Sequence, residues 1–362
     1  MSVTAQTDSR PRFHPLRVAK VEPLCDDAVA VTFDVPDDLA ATFAFRPGQS
    51  LTVRREVDGA DERRSYSICA PAGAAPRIGV REVPDGAVSP WLVHEVRAGD
   101  EVDVLPPQGR FVPDLDGPAG RHVLIAAGSG ITPILSIAAS LLDAGPSNHV
   151  TVLYGNRRTD TVMFIDELSD LKDRHPARFQ LIHVLSREPR DAELFSGRMD
   201  ADRLAELLGT FVPVGDVDHW WLCGPHGMVD DARALLKAHG IPIERIHREL
   251  FYVEDEPPPE VEHVEAEITG DVAEATVILD GRATTVPLPV DQPILDAAQR
   301  VRSDLPFACK GGVCGTCRAM LRDGVVRMRR NFALDEDELA QGFVLTCQSL
   351  PVSEHLTVDY DA

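Results

Sequence analysis

The sequence predicts a multidomain chain with three folded parts. They are an antiparallel β-barrel, a doubly wound α/β domain and a small α+β domain built around a metal centre. Three observations carry this. Short alternating segments with turn signals run to about residue 115. From Arg121 strands and helices alternate. Near the C-terminus stand Cys309, Cys314, Cys317 and Cys347, with intervening gaps of four, two and 29 residues.

Composition narrows the classes. A chain of 362 residues with 44% hydrophobic and 26% charged residues can build two or three real cores, as soluble globular proteins do. A net charge of −22 argues against nucleic acid and anionic membrane surfaces as partners. No apolar run approaches the roughly 20 residues of a membrane span. The N-terminus has no apolar core, so no signal peptide is expected. Cys25, Cys69 and Cys223 are left as free thiols, and the cytoplasm is the expected compartment. From Tyr252 onward 21 acidic residues face 9 basic ones, an excess that could steer this part onto a basic partner surface.

In chain order, a flexible tail is expected over 1–12 and the barrel over 13–116. Residues 16–22 and 28–34 alternate as strands, and Pro47-Gly48-Gln49 turns into a third at 50–55. The α/β domain is expected over 117–251. An apolar strand at 123–127 ends in Gly128-Ser129-Gly130-Ile131-Thr132-Pro133, followed by a helix to about Leu142. Further buried strands fall at 150–154, 179–184 and 220–223, with helices at 164–172 and 201–208. Consecutive prolines among acids make 252–264 a linker. Over 265–362 a hairpin turns at Asp280-Gly281, and a helix starts behind Pro293.

The cysteine spacing is that of a plant-type [2Fe–2S] cluster, which takes three thiolates from one loop and a distant fourth. A structural zinc site presents two-residue knuckles in pairs, and only one such gap exists. In the barrel, Arg64-Ser65-Tyr66-Ser67 at a strand end offers a guanidinium for phosphate, a ring for a flat heterocycle and a hydroxyl for its edge. A surface arginine and a half-buried tyrosine on an edge strand would look the same. Gly86-Ala87-Val88-Ser89-Pro90 adds a second phosphate-binding candidate, with Ser89 as N-cap and Pro90 as the first helical residue. Gly128 and Gly130 let backbone approach a pyrophosphate. No carboxylate ends the second strand of the α/β part. Arg157 and, after the next strand, Ser186-Arg187 suit a 2′-phosphate, which favours NADPH over NADH. His247 reads as a structural histidine, and Asp335-Glu336-Asp337-Glu338 as a solvated helix face.

The R-x-Y-S, G-x-x-S, G-x-G-x-T-P and Cys223-Gly224-Pro225 runs occur in the order seen in the ferredoxin–NADP reductase family, which this chain resembles. With a C-terminal plant-type ferredoxin module, residues 13–361 are similar to the reductases of bacterial ring-1,2-phenylacetyl-CoA epoxidases. Arg63 to Cys69, Leu153 to Arg157 and Gly342 to Ser349 carry that closer likeness. The resemblance implies a β-grasp ferredoxin fold for the third part. It also implies FAD held through Arg64 (pyrophosphate), Ser65, Tyr66 (stacked on the isoalloxazine) and Ser67 (near flavin N5). Gly79-Val80-Arg81 and Gly86, Val88 and Ser89 would complete that site. Gly128, Gly130, Thr132, Cys223 and Gly224 would hold the nicotinamide nucleotide, with Cys223 beside the reacting carbon and Glu249 and Phe251 closing over the flavin. Tyr66, Ser67, Thr132 and Cys223 are the expected catalytic set. The implied activity is an NADPH-dependent reductase that passes electrons through FAD and [2Fe–2S] to the oxygenase subunits of a phenylacetyl-CoA epoxidase-type complex. Two alternatives stay open: an FMN- and NADH-using reductase of an aromatic-ring dioxygenase or demethylase, and a redox-sensing module.

Overall fold

The computed structural model describes residues 12–57, 59–252, 272–302, 304–334 and 336–362. Apart from Arg12 and Tyr252, the expected tail and linker lie outside the described residues. The chain forms two compact units, Met1–Tyr252 and Val253–Ala362.

The first unit begins with β1 (His14–Cys25), β2 (Ala28–Asp34), β3 (Ser50–Val57), β4 (Ala60–Ser67), β5 (Arg77–Arg81), a short helix α1 (Ser89–His94) and β6 (Glu101–Val104). They make an antiparallel sheet in the order β4-β3-β6-β1-β2-β5. An antiparallel bridge between Ile68 and Ile78 joins the two edges, closing a barrel. Closure removes the exposed strand edges that would otherwise template aggregation. β2 shows why this barrel does not stand alone. Its Val29, Val31 and Phe33 fill the barrel core. The alternate residues Ala28 and Ala30 face outward into the core of the next layer. Small side chains on that face let a helix and sheet pack close.

That layer is β7 (Arg121–Ala127), α2 (Ile131–Ala144), β8 (His149–Asn156), α3 (Ile165–Arg174), β9 (Phe179–Leu185), α4 (Ala201–Phe211), β10 (His219–Pro225), α5 (His226–Ala238) and β11 (Ile246–Tyr252). The strands are parallel, in the order β11-β10-β7-β8-β9. Strand order therefore reverses between β7 and β10, and ligands of open α/β sheets bind outside the strand ends at such a point. Every residue of α2 from Ile131 to Leu142 is buried, as expected of a helix apolar all round. Each of its large aliphatic side chains contributes about 1.5–3 kcal/mol by leaving water. Asp200 caps α4, accepting the Arg203 N–H at 3.0 Å.

The second unit contains β12 (Val272–Leu279), β13 (Arg282–Pro289), α6 (Ile294–Gln299), β14 (Arg318–Asp323), β15 (Val326–Met328), α7 (Glu336–Ala340), β16 (Phe343–Leu345), β17 (Ser349–Pro351) and β18 (His355–Asp359). A mixed sheet runs β13-β12-β18-β14-β16, and β15 pairs with β17. Asp280 (φ 52°) and Gly281 (φ 66°) form the two-residue hairpin turn, with both N–H groups donating to the Asp361 carboxylate.

Two local expectations are corrected. Ser89 is the first helical residue of α1, not its cap. Val88 holds the cap position, and the Ser89 hydroxyl instead accepts the Val83 N–H at 3.0 Å. The acidic run is not simply solvated. Glu338 is buried and paired with Arg318, while Glu336 and Asp337 are exposed and Asp335 lies outside the described residues. His247 keeps its structural reading. It stacks on Trp221 with centroids 4.0 Å apart and shares a 3.2 Å hydrogen bond with His219.

Candidate active site and metal centre

The end of β4 meets the β7/β10 reversal. The Ser67 hydroxyl donates to Glu249 Oε2 at 3.0 Å. Glu249 is the register partner of Cys223 on the neighbouring strand. A side chain on Gly130 would place its first carbon 2.2 Å from the Cys223 carbonyl oxygen, so the glycine turn and the Cys223 strand end are in backbone contact. Four residues widely separated in sequence thus converge on one spot. Phe251 lies two residues beyond Glu249, at an irregularity where the pairing of β11 with β10 passes from Leu250 to Tyr252. Cys223 is fully buried, and burial, with the Glu249 carboxylate beside it, pushes its thiol well above the ordinary range. The thiol therefore stays neutral.

Burial pushes the Glu249 carboxyl up to about 7, and the Ser67 hydrogen bond only partly opposes this. A carboxyl raised in the fold contributes stability that is whole below the unfolded value, near 4.5, and lost as pH rises through about 7. Glu249→Gln should therefore match the parent in thermal stability near pH 5 and exceed it above pH 7.5. A melting-temperature difference that stays constant from pH 5 to 8 would contradict the assignment.

The pyrophosphate-type turn is braced from the barrel. Gly128 has φ +55°, and its carbonyl accepts the buried Tyr154 hydroxyl at 3.1 Å. The Arg81 guanidinium stands 3.5 Å from where a Gly128 side chain would begin. It also pairs with Asp27 at 3.2 Å and donates to the Thr161 carbonyl, so Arg81 spans both layers through its side chain. Thr132 is wholly buried, with its hydroxyl donating to the Ser129 carbonyl at 3.0 Å. That bond braces the turn. The Thr132 methyl and the Phe164 ring crowd Gly79, where a side chain would begin 2.5 and 2.8 Å from them. Phe164 was missed in the sequence, though a glycine inside a strand was a signal of close approach. Arg77 adds a bidentate pair to Glu167, both bonds 2.9 Å, between β5 and α3.

The remaining candidates lie further out. Arg64, half-exposed at the β4 end, pairs with Glu62 at 3.0 Å. The Ser65 hydroxyl meets Thr52 Oγ1 at 3.0 Å. Tyr66 is partly buried against the barrel core. Val80 and Val88 are buried, which leaves only their backbone for a ligand. Gly86 donates to the Val83 carbonyl, and Arg55, missed in the sequence, holds the loop through the Ala87 carbonyl at 3.1 Å. Across the sheet, the Ser186 N–H donates to Asn156 and the Arg187 N–H to Arg157 at 2.8 Å, which sets the two exposed arginines side by side. The Asn156 amide between them and the sheet is buried, with neither polar atom hydrogen-bonded. A buried amide in that state is a ready partner for a ligand's hydroxyl or phosphate.

In the second unit the cysteines form two sulfur pairs. The Cys314 thiol and the Gly311 and Cys314 N–H groups donate to Cys309 Sγ, the amides at 3.3 and 3.4 Å. These donors pull the Cys309 thiol down to about 5. Cys317 and Cys347, both buried, make the second pair, and Gln348 Nε2 approaches Cys347 Sγ at 3.6 Å. Among the described residues no three side chains are placed to share a single metal ion. Two thiols per metal is the donor set of a binuclear iron–sulfur centre, not of one tetrahedral zinc. Gly312 (φ +78°) and Gly315 (φ +69°) supply the left-handed turns that fold the loop around it.

Three family models match, an oxidoreductase FAD-binding domain over 15–112, an oxidoreductase NAD-binding domain over 124–234 and a 2Fe-2S iron-sulfur cluster binding domain over 277–352. The chain is 42% identical over 356 residues to one of the subunits of 1,2-phenylacetyl-CoA epoxidase from Escherichia coli (strain K12), covering 97% of this chain and 98% of that one. The chain belongs to the iron–sulfur flavoprotein reductase family of oxygenase systems. It is also 35% identical to the ferredoxin reductase component of 3-ketosteroid-9-alpha-monooxygenase from Mycobacterium tuberculosis (strain ATCC 25618 / H37Rv), covering 96% and 95% of the two chains. Phthalate dioxygenase reductase shares the fold, with a TM-score of 0.63 at 24% identity over 99% of this chain and 100% of that one. As a member of this family it is an NAD(P)H-dependent oxidoreductase that uses FAD and a [2Fe–2S] cluster. Among the described residues no helix is long and apolar enough to cross a membrane.

Proposed function

We propose that this reductase draws on NADPH and delivers single electrons to the oxygenase subunits of a phenylacetyl-CoA epoxidase-type complex, in the cytoplasm. The convergence of Ser67, Glu249, Cys223 and the Gly130 turn carries the reading, because it brings the barrel's strand end to the switch point of the nucleotide sheet. FAD supplies the exchange between two-electron and one-electron chemistry, and the cluster carries the single electrons. The protein's task is to position two rings, and no general acid or base is needed. In this assignment Arg64 and the 86–89 loop hold the flavin pyrophosphate, and Tyr66 covers its ring. Ser67 faces the ring's polar edge and Glu249 fixes the Ser67 hydroxyl. Cys223 shapes the nicotinamide face as a neutral thiol. Thr132 and Arg81 position the turn, and Phe251 closes over the flavin. The domains are taken as 13–116, 117–251 and 265–362. A reducing compartment is consistent with Cys25, Cys69 and Cys223 standing as free thiols beside the four cluster cysteines.

Preference for NADPH rests on Arg157 and Arg187 beside the unpartnered Asn156 amide. A charge-assisted bond to phosphate is worth about 1.5–3 kcal/mol, on the order of 10–100-fold in affinity. Arg187→Ala should raise KM for NADPH by that factor and leave KM for NADH nearly unchanged. Equal effects on both would remove Arg187 from the 2′-phosphate site. The reading as a whole is tested by co-purification with candidate oxygenase subunits and NADPH-driven turnover of phenylacetyl-CoA. Released flavin with the mass of FMN, or turnover supported better by NADH, would favour a dioxygenase-type reductase instead.

A further inference from the structure

The part of the chain from Tyr252 onward is acidic, yet the strand beside its cysteine loop is basic. Three of its nine cations, Arg327, Arg329 and Arg330, fall within four residues. Along this stretch Val325, Arg327 and Arg329 are exposed, whereas Val326 and Met328 are half-buried. That period of two puts Val325, Arg327 and Arg329 on one outward face of β15. Met328 turns inward, where its sulfur accepts the Leu345 N–H at 3.4 Å. Arg302, Lys310, Arg318 and Arg322 each have a carboxylate partner in this unit. Arg327 and Arg329 form no ion pair among the described residues, so their charge is presented outward.

The strand is tied to the metal loop. The Arg329 N–H donates to the Gln348 carbonyl at 2.8 Å, and the Gln348 side chain donates to the Lys310 carbonyl at 2.7 Å and approaches Cys347 Sγ. The Phe332 N–H donates to Gly312 at 3.1 Å. Beside the arginines, Val325 and Val352 are 55% and 65% exposed and linked by a 2.9 Å backbone bond. An apolar pair with cations at its margin has the make-up of a protein docking patch: an apolar centre and a charged rim that sets register and partner choice.

We propose that the outer face of β15, with Val325, Val352, Arg327 and Arg329, is the surface on which the electron acceptor docks. The acceptor presents a carboxylate-bearing rim around an apolar patch. This is the reverse of what the acidity of the part as a whole suggests. Net charge acts at long range and is screened within about 10 Å at 0.1 M salt, so the local pair decides docking at contact. The inference rests on the reading that the cluster's acceptor is a protein.

The test uses the full-length holoprotein and two haem-protein probes, acidic cytochrome b5 and basic cytochrome c. Binding to the oxidised protein is measured by calorimetry at several salt concentrations, and reduction of each probe by stopped flow. The double variant Arg327→Glu/Arg329→Glu should weaken cytochrome b5 binding at least tenfold at 0.1 M salt and flatten its salt dependence, with ferricyanide reduction by the flavin unchanged. Arg282→Glu/Arg300→Glu, at the hairpin turn and the end of α6, makes the same net-charge change and should shift cytochrome b5 affinity less than threefold. Val352→Ser should weaken binding of both probes. Equal losses in the two double variants would overturn the proposal, as would an unchanged cytochrome b5 affinity. Failure of the unsubstituted protein to reduce either probe would count against a protein acceptor altogether, separately from the choice of surface.

Discussion

Cys309→Ser should yield a yellow protein: flavin bands intact, iron–sulfur absorbance to their red gone. The reason lies in the loop's electrostatics. The Cys314 thiol and nearby backbone N–H groups stabilise negative charge on Cys309 Sγ, holding that thiol near 5. A serine hydroxyl in the same cradle stays protonated at neutral pH and is a hard donor where iron–sulfur clusters select soft thiolate. Losing an outer-shell partner costs roughly 10–100-fold in metal affinity. Losing a ligand from one of two sulfur pairs should cost more, and cytochrome c reduction should fall to background. Ferricyanide reduction by the flavin should survive, since the barrel and nucleotide layers form a separate compact unit. An unaltered visible spectrum would refute ligation by Cys309.

Gly130→Ala should damage the nucleotide site almost as severely, for a steric reason. The added methyl would lie 2.2 Å from the Cys223 carbonyl oxygen, 2.6 Å from its carbon and 2.9 Å from the Gly224 nitrogen. All three are backbone atoms and cannot swing aside, so the turn or the end of β10 must move. Forced overpacking of this kind costs about 1–3 kcal/mol. A displacement of about 1 Å between reacting groups can cost on the order of 100-fold in rate. The expected result is a melting temperature lower by several degrees and kcat/KM for NADPH down by about two orders of magnitude. Gly209→Ala is the control. Gly209 lies on α4 with open space around it, and alanine there should stabilise by roughly 0.5–1 kcal/mol without touching turnover. Normal kcat/KM in Gly130→Ala would mean that this turn does not hold the nucleotide.

Much was legible in the chain because the signals are local. The first two cysteine gaps, the alternation of the barrel strands, the glycine turn after an apolar strand and the Asp280-Gly281 hairpin each lie within a few neighbouring residues. Local backbone chemistry specifies them wherever the segment ends up. The boundaries of β7, α2, β8, α3 and α4 accordingly fall within a few residues of where periodicity places them. Ser89 was misplaced by one position because Ser and Pro both suit a helix start. Its hydroxyl went to Val83, six residues back, which no helix rule anticipates.

The sequence by itself determined the element types, the spacing of the four cysteines and the order of the motifs. Tertiary structure alone decided which of those motifs meet. Ser67 and Glu249 are 182 positions apart, and nothing in either segment marks the other as its partner. Strand order in the parallel sheet brings Cys223 beside Gly130, and packing of the barrel on the α/β layer brings Gly79 against Thr132 and Phe164. The same holds for Arg81, a strand arginine whose value lies in reaching across to Thr161. The cysteines follow this division. Their spacing announced an iron–sulfur loop, but only the fold sorted them into two pairs and set an arginine-bearing strand beside them. Side-chain identity is local information. Contact between distant segments is set by how layers pack, and packing is a property of the whole core.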